Sequence, residues 1–184
     1  MYIAYIALAL VGLVIVWIIA SYNGLVKMRN MVEEAFATMD VYLKQRYDLI
    51  PNLVETVKGY AKHETETFEK IVQARSKAMS AKTSDETVAE ENNLTQTLKS
   101  LFALAENYPD LKANQNFINL QGQLQKVETD IAQSRKYYNA IVRRYNTKVE
   151  LFPQSIVASM FKFTRKTMFE VSDESQRENV SVKF

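Results

Sequence analysis

The chain has 184 residues, and its 23 basic and 21 acidic residues give a formal net charge of +2, which argues against a nucleic-acid-binding protein. It has no cysteine, in agreement with a reducing compartment. Glycine and proline are scarce, and the alternating, turn-rich pattern of strands is missing. The composition therefore predicts an all-α fold, with a soluble part that suits one domain.

Residues 2–20 are nineteen consecutive uncharged, mostly apolar residues. A run of this length can cross the hydrocarbon core of a bilayer, which needs about 20 helical residues. A cleaved signal peptide is the alternative, but no basic residue precedes the run and no good cleavage site follows it. Trp17 and Tyr22 lie near its end, where aromatic rings favour the membrane interface. We therefore predict an uncleaved transmembrane anchor.

Basic residues on one side of the anchor indicate its orientation. Lys27 and Arg29 follow the run closely, with Lys44 and Arg46 further on, whereas only the terminal amine precedes it. Because positive residues stay on the cytoplasmic side, we expect a single-pass protein of the cell membrane. Its N-terminus would lie outside and the bulk of the chain in the cytoplasm.

Apolar residues at alternating steps of three and four predict four amphipathic helices after the anchor. The first covers residues 21–50, and the second follows Pro51 and ends near residue 81. A capping box from Thr83 to Glu86 opens the third helix, which reaches about residue 107. The fourth covers residues 114–150 and could reach about 55 Å, a length typical of bundles and coiled coils.

Pro51 and Pro109 mark either chain reversals or helix kinks, because proline lacks an N–H donor. Reversals at both give an antiparallel up-down-up-down bundle of four helices, whereas kinks give one long helical hairpin. We favour the bundle, since a lone hairpin leaves apolar flanks exposed. Both arrangements return Phe152 to the membrane-proximal end. The predicted regions are an anchor at 2–20, a bundle at 21–151, an amphipathic segment at 152–171 and a polar tail at 172–184.

The segment at residues 152–171 interleaves apolar and aromatic residues with basic ones. Such a segment beside a bilayer can lie in the interface with its charges toward anionic lipid. The alternative is that Ile156, Val157, Met160 and Phe161 dock on the bundle. Together with the two aromatic residues near the anchor, the candidate interface residues are Trp17, Tyr22, Phe161, Lys162, Phe163, Arg165 and Lys166.

Catalytic and metal-binding patterns are not recognisable in the sequence. Zinc hydrolysis would need two or more histidines with a carboxylate, and the chain has only His63. On a helix, His63 and Glu64 diverge by about 100° and do not chelate one metal from one face. A glycine-rich phosphate loop and a cysteine nucleophile are also missing. We predict a non-enzyme with no catalytic residue, no metal site and no cofactor.

Two further groups of residues are candidates for contacts. Polar residues around Pro51 form a possible recognition surface or subunit contact, although Asp48 as a helix cap and Glu55 with Lys58 as an ion pair would explain some of them locally. Gly59 and Gly122 fall inside predicted helices at a cost of about 1 kcal/mol, which suits close helix crossings within a chain or between copies. A plain surface position is the alternative at Gly122. The members of the first group are Lys44, Arg46, Asp48, Pro51, Asn52, Glu55 and Lys58.

Several motifs resemble those of the LemA family, in the family's order along nearly the whole chain. They are Tyr22-Asn-Gly-Leu-Val-Lys-Met-Arg-Asn, Asp40-Val-Tyr-Leu-Lys-Gln-Arg-Tyr-Asp-Leu-Ile-Pro-Asn-Leu-Val-Glu, Val57-Lys-Gly-Tyr-Ala-Lys-His-Glu, Tyr108-Pro-Asp-Leu-Lys-Ala-Asn, Arg144-Tyr-Asn and Phe152-Pro. The family's late Phe-Gly-Phe motif reads Phe161-Lys162-Phe163 here. The resemblance implies a bacterial inner-membrane protein with one N-terminal span and a helical cytoplasmic domain, and it implies no activity.

Three functions remain open. Long amphipathic helices on an anchor favour a non-catalytic scaffold that self-associates at the cytoplasmic face, so we expect a homo-oligomer that contacts membrane lipid. The same surfaces suit an adaptor or regulator of another membrane protein, such as a membrane protease, since some family members are encoded near one. An enzyme or ligand-binding module with the bundle core as its pocket ranks last.

Overall fold

The computed structural model describes residues 1–169, apart from the side chain of Ser84. All regular secondary structure in that range is helical, which confirms the predicted all-α fold. The polar tail predicted at residues 172–184 and the end of the amphipathic segment lie outside the described residues. The helices are α1 Tyr2–Lys58, α2 Thr65–Ser80, α3 Ser84–Ala105, α4 Pro109–Lys112, α5 Gln115–Glu150 and α6 Gln154–Met160.

The helices form two compact units. The first unit consists of Met1–Asp40 and Gln133–Met168, and the second of Val41–Ala132 with Phe169. α1 and α5 each contribute one stretch to either unit. The region predicted as one bundle at residues 21–151 therefore takes part in both units.

α1 begins in the apolar run and continues past it without a break. Its most apolar window of 18 residues has a mean hydropathy of 2.8, and 0 % of that window is buried. By length and composition this part of α1 is able to cross a membrane. The residues after the run belong to the same helix, so the predicted anchor and first helix are a single element.

The second unit is a four-helix bundle built from the end of α1, α2, α3 and the start of α5. Short connections join successive helices, as in the up-down-up-down arrangement that the sequence favours. α1 runs antiparallel to α5, since Arg46 contacts Glu128 whereas Tyr60, further along, bonds to Asn114. The core of this unit is apolar and includes Leu43, Ile50, Leu53, Val57, Phe68, Ile71, Leu94, Leu98, Leu101, Leu111, Phe117 and Leu124.

The first reversal of the chain lies at residues 59–64, beyond Pro51, which lies inside α1. Proline has no N–H, so the Tyr47 carbonyl four residues earlier loses its helical donor. Nε of Arg75 on α2 donates to that carbonyl at 2.7 Å. The prediction that Pro51 reverses the chain is wrong, because α1 continues through Pro51 to Lys58. The Arg75 side chain supplies a donor in place of the N–H that proline lacks. The second helix accordingly begins at Thr65.

The other predicted helix starts are confirmed. Thr83 Oγ1 accepts from the Glu86 backbone N–H at 3.2 Å, and the Glu86 carboxylate accepts from the Thr83 N–H at 3.3 Å, which completes the capping box of α3. Asn114 Oδ1 accepts from the N–H groups of Asn116 and Phe117 at 2.9 and 3.1 Å, which caps the start of α5. Pro109 begins α4, where its missing N–H is tolerated.

The first unit contains a helical hairpin formed by residues 21–40 of α1 and 133–150 of α5. The Phe36 and Tyr138 rings meet edge to face with their centroids 5.8 Å apart. Gly24 lies opposite Lys148, whose Nζ would be 2.6 Å from a Cβ at that position. The contacts of these two pairs show that the helices are antiparallel. α6 and the residues after it pack at the end of the hairpin that is next to the apolar run, where the Tyr22 ring contacts that of Phe161.

Candidate functional site

Arg46 lies fully buried in the bundle of the second unit. Its Nη2 donates to the Glu91 carboxylate of α3, and its Nη1 donates to Glu128 of α5 at 2.9 Å and to Thr95 at 3.1 Å. The Tyr47 hydroxyl donates to the second oxygen of Glu91 at 2.5 Å. One polar network therefore joins α1, α3 and α5 through their side chains.

This network stabilises the bundle only as a complete set. Glu91 is fully buried, whereas Glu128 keeps 35 % of its side chain exposed. Desolvation of two ions costs several kcal/mol each, and removal of one partner from such a buried pair costs about 3–5 kcal/mol. The Arg46 charge is paired inside the bundle through Nη1 and Nη2, although its buried Nε donates to no acceptor among the described residues, and the charge is not presented to the surface.

The assignment of Arg46 to an interaction surface is therefore wrong. Leu43, Ile50 and Leu53 are buried on the same face of α1, and Arg46 occupies the core position between them. Its residue type suggested the surface, because arginine is almost never fully buried unless it is paired. The spacing of three from Leu43 and four to Ile50 was a signal of burial.

The remaining members of the predicted surface are exposed. Lys44 and Asp48 form an ion pair at 2.9 Å, and Lys58 pairs with Glu55 at 2.9 Å, which confirms the local explanation of the second pair. Asp48 does not cap a helix, since α1 continues past it. Exposed pairs of this kind contribute about 0–1 kcal/mol. The exposed members are Lys44, Asp48, Pro51, Asn52, Glu55 and Lys58.

Asp48 and Asn52 also line a groove between α1 and α5 in the second unit. The groove has a volume of about 650 Å³, within the size range of ligand sites. Its lining mixes carboxylates, amides and a lysine with the Tyr42 ring and two aliphatic side chains, so it offers both polar and apolar contacts. The lining residues are Tyr42, Gln45, Asp48, Leu49, Asn52, Gln123, Lys126, Val127 and Asp130.

Neither predicted glycine contact forms within residues 1–169. Gly122 is exposed, and a Cβ there would have no heavy atom of these residues within 4 Å. Gly59 lies after the end of α1, and its nearest neighbour would be the Thr56 carbonyl of the same turn at 3.4 Å. The intramolecular crossing is therefore wrong at both positions, because neither faces another helix. A crossing between copies stays a prediction.

His63 lies exposed in the reversal between α1 and α2. Within residues 1–169, no three side chains of the histidine, cysteine, aspartate and glutamate types are grouped as a metal site would require. The buried carboxylate of Glu91 is held by Arg46 and Tyr47, as described above. This part of the chain presents polar networks and surfaces, without an assembled set of metal-binding groups.

The turn after α6 shows why a glycine suits the family's Phe-Gly-Phe motif. Lys162 has φ 57°, in the left-handed region that favours glycine. The Phe163 N–H bonds to the Ala158 carbonyl at 2.9 Å and the Lys162 N–H to Ser159 at 3.3 Å. These two bonds define a Schellman motif, whose left-handed position is usually glycine. The helix end is thus formed with lysine in a strained position.

Residues 163–168, the C-terminal strap, run back along α5. The Tyr138 hydroxyl donates to the Thr167 carbonyl at 3.1 Å and the Tyr145 hydroxyl to the Thr164 carbonyl at 3.0 Å. The Asn146 amide exchanges two 2.9 Å bonds with the backbone of Lys166. Four bonds from three side chains of α5 therefore hold the strap. The apolar spacing that predicts the fourth helix gives no indication of this role of the two hydroxyls.

Tyr145 is 1 % exposed, and its burial raises the pKa of the phenol, against a smaller opposite effect of the Arg29 charge. A phenol that stays protonated keeps its O–H available for the Thr164 carbonyl. The bond between Tyr145 and the strap is therefore favoured in the neutral form of the side chain.

The predicted interface residues occupy different environments. The Tyr22 ring contacts those of Phe161 and Phe163, with centroids 4.7 and 5.8 Å apart. Phe163 is buried and Lys166 half-buried, whereas Phe161, Lys162 and Arg165 are exposed, and Trp17 is half-buried in the apolar part of α1. Arg165 pairs with Glu150 at 2.5 Å. Contact of these residues with a membrane stays a prediction.

α6 combines the two alternatives considered for its apolar residues. Val157 and Ala158 are buried in the first unit, as expected if α6 docks on the other helices of that unit. Ile156, Met160 and Phe161 keep 51, 61 and 46 % of their surfaces exposed. Docking accounts for one side of α6 and leaves the other side uncovered by the described residues.

These features define a protein whose described residues form helices in two compact units, with an N-terminal helix that is able by length and composition to span a membrane. A family model described as the LemA family matches residues 35–184. The chain belongs to the LemA family, which confirms the resemblance found in its motifs. It is also similar to "Protein LemA" of Metamycoplasma hominis, with 24 % identity over 152 residues that cover 82 % of this chain and 69 % of that protein.

Proposed function

We propose that this protein is a non-catalytic scaffold that is anchored in the cell membrane by residues 2–20 and self-associates at the cytoplasmic face. The observation that carries the proposal is the continuity of α1 from an uncovered apolar run into the hairpin of the first unit. Copies in one membrane are confined to two dimensions. When the apolar runs of two copies meet, residues 21–40 of the two copies also come close together, because α1 contains both stretches.

The charge after the span supports a cytoplasmic location of the helical units. Lys27 and Arg29 are exposed on α1 directly after the apolar run. Positive residues at this position favour retention on the cytoplasmic side. A non-catalytic role agrees with the use of Arg46 and Glu91 in a buried structural pair, away from solvent.

The proposal is tested by the particle mass of the full-length protein, extracted gently from membranes and measured by mass photometry. We expect a discrete assembly larger than a dimer that needs no other chain, and a smaller species for a chain that begins at Ser21. Only monomers and dimers under all mild conditions would contradict self-association. Gly122→Leu probes a crossing between copies on α5, with Ala140→Leu on another exposed position as the control.

A second candidate function is that of an adaptor for another membrane protein. The groove beside Asp48 and Asn52 favours it, since a lining of both polar and apolar side chains suits recognition of a peptide segment. A photo-crosslinking residue at Asn52 would yield a discrete hetero-adduct in native membranes if the protein is an adaptor. Adducts between copies alone would favour the scaffold. The same residue at the exposed Val72 of α2 serves as the control.

A further inference from the structure

We propose that α6 and the turn before it form a second membrane contact, which binds the anionic surface of the bilayer beside the anchor. The inference rests on the membrane anchor of the proposed function and is independent of self-association. The proposed surface, called the α6 apolar face, consists of five exposed apolar residues. They are Leu151, Phe152, Ile156, Met160 and Phe161, with exposed fractions of 55, 79, 51, 61 and 46 %.

The arrangement of α6 gives this face a single direction. Ile156 and Met160 are four residues apart and lie on one side of the helix. Val157 and Ala158 point into the first unit and fix the helix against it. The Schellman motif at Lys162 then fixes the end of α6 and places the Phe161 ring against Tyr22. The exposed residues are therefore held outward by a packed structure.

The position of Tyr22 places the face at the depth of the membrane interface. Tyr22 is two residues beyond the apolar run, a rise of about 3 Å along α1. The polar region on each side of a bilayer is about 5–7 Å thick. The Phe161 ring lies 4.7 Å from that of Tyr22. An apolar surface at this level reaches the boundary between headgroups and acyl chains, where amphipathic segments bind.

Charge distinguishes a lipid surface from a second copy of the chain as the partner. The residues of the first unit include ten basic and four acidic ones, a net charge of +6, whereas residues 41–132 include eleven basic and thirteen acidic ones, a net charge of −2. Lys27, Arg29 and Lys162 are exposed in the first unit, and the Arg29 guanidinium lies 5.6 Å from the centre of the Phe163 ring. Two copies meeting through this face would oppose two positive units, whereas anionic headgroups neutralise them.

Single cysteines provide a direct test, since the chain has none of its own. Spin labels are placed on the full-length protein at Met160 in the face, at Leu8 in the apolar run and at Met79 on α2, all exposed positions. The protein is reconstituted in phosphatidylcholine bilayers with and without phosphatidylglycerol. Collisions with lipid-soluble oxygen are compared with those with a water-soluble nickel chelate. In the anionic bilayer, we expect the label at 160 to collide mainly with oxygen, like the label at 8. The label at 79 should collide mainly with the nickel chelate.

The outcomes separate this inference from the proposed function. A lipid-exposed label at 8 with an aqueous label at 160 would overturn the second contact and leave the anchor intact. An aqueous label at 8 would overturn the anchor and with it both proposals. A label at 160 that becomes shielded from both reagents as protein density rises would overturn the lipid assignment in favour of a contact between copies.

Charge variants test the preference for anionic lipid. Lys27→Gln with Lys162→Gln removes two exposed positive charges of the first unit, and we expect the equilibrium between lipid-exposed and aqueous label at 160 to fall about 30-fold in the anionic bilayer. Lys62→Gln with Lys99→Gln makes the same change at exposed positions of the second unit and should leave it unchanged. If the two double variants changed the equilibrium equally, the assignment of anionic lipid as the partner of the α6 apolar face would be overturned. Circular dichroism confirms that both variants stay helical.

Discussion

The two units take residues from the same two long helices, α1 and α5, but use their polar side chains differently. In the second unit, the charges of Arg46 and Glu91 face inward and neutralise each other in the core. In the first, the neutral groups of Tyr145 and Asn146 bind the backbone of the strap. The first unit keeps its net charge of +6 largely on its surface. The difference shows that one unit uses charge for internal packing, whereas the other presents charge to its surroundings.

The largest effect is expected for Arg46→Met, which leaves Glu91 buried without its counter-charge. We expect a loss of about 3–5 kcal/mol in the free energy of unfolding, measured by urea denaturation. Arg46→Met combined with Glu91→Leu should recover much of the loss, because both charges are then removed. A loss below about 1 kcal/mol in the single variant would contradict the role of the pair.

Arg75→Met tests how α1 tolerates Pro51. Without the guanidinium, the Tyr47 carbonyl loses the hydrogen bond that Arg75 Nε donates, so we expect a loss of about 1–3 kcal/mol. In a Pro51→Ala background, residue 51 supplies an N–H to that carbonyl, and the same replacement should cost less. A double-mutant cycle by chemical denaturation measures the difference, and strict additivity would contradict the explanation.

Tyr145→Phe tests the strap in the first unit. We expect a loss of about 1 kcal/mol at neutral pH, since the hydroxyl bond to Thr164 is removed. Burial raises the pKa of Tyr145 above its ordinary value, so the folded state holds a proton that the unfolded state releases. The contribution is therefore complete below about pH 10 and is lost as the pH rises from there to the raised pKa.

The alkaline part of this prediction has its own measurement and control. Thermal unfolding followed across alkaline pH should show a shallower decline for Tyr145→Phe than for the natural chain. Tyr137→Phe, at a position that is 54 % exposed, should keep the decline of the natural chain. Identical profiles for the natural chain and Tyr145→Phe would contradict the role of Tyr145.

The smallest effect is expected for Lys162→Gly, and it is stabilising. Lysine in the left-handed region costs roughly 1 kcal/mol, and glycine removes this strain from the folded state. Glycine also increases the conformational entropy of the unfolded chain, which offsets part of the gain. We expect a gain below about 1 kcal/mol, read as a higher melting temperature. Ser159→Gly, inside α6, should instead destabilise the protein. A lower melting temperature for Lys162→Gly would contradict the strain.

Features fixed by neighbours in the sequence were predictable. The capping box of α3 and the extent of α5 depend on local hydrogen bonds and on apolar spacing, and both were predicted within a residue or two. Pro51 could not be placed from sequence, because the donor that rescues its helix comes from Arg75, 24 residues further on. The kind of arrangement was thus predictable, and the position of its first turn was not.

The candidate sites were less predictable, because side chains can reverse the expectation for their residue type. Arg46 belongs by type to the surface and by spacing to the core, and its partner Glu91 lies 45 residues away. The strap has no regular secondary structure, so apolar periodicity does not detect it. The replacement of the family's glycine by Lys162 was visible in the sequence, but the left-handed turn that Lys162 adopts was not predicted.

Where residues 2–20 span a bilayer, as proposed, the unbroken course of α1 couples the tilt of that span to residues 21–40 of the first unit. Residues 21–40 extend about 30 Å beyond the apolar run. A membrane that becomes thinner or thicker changes the tilt of a span whose length no longer matches it. A tilt of about 10° displaces the far end of this stretch by roughly 5 Å, so a stiff helix converts bilayer thickness into lateral movement.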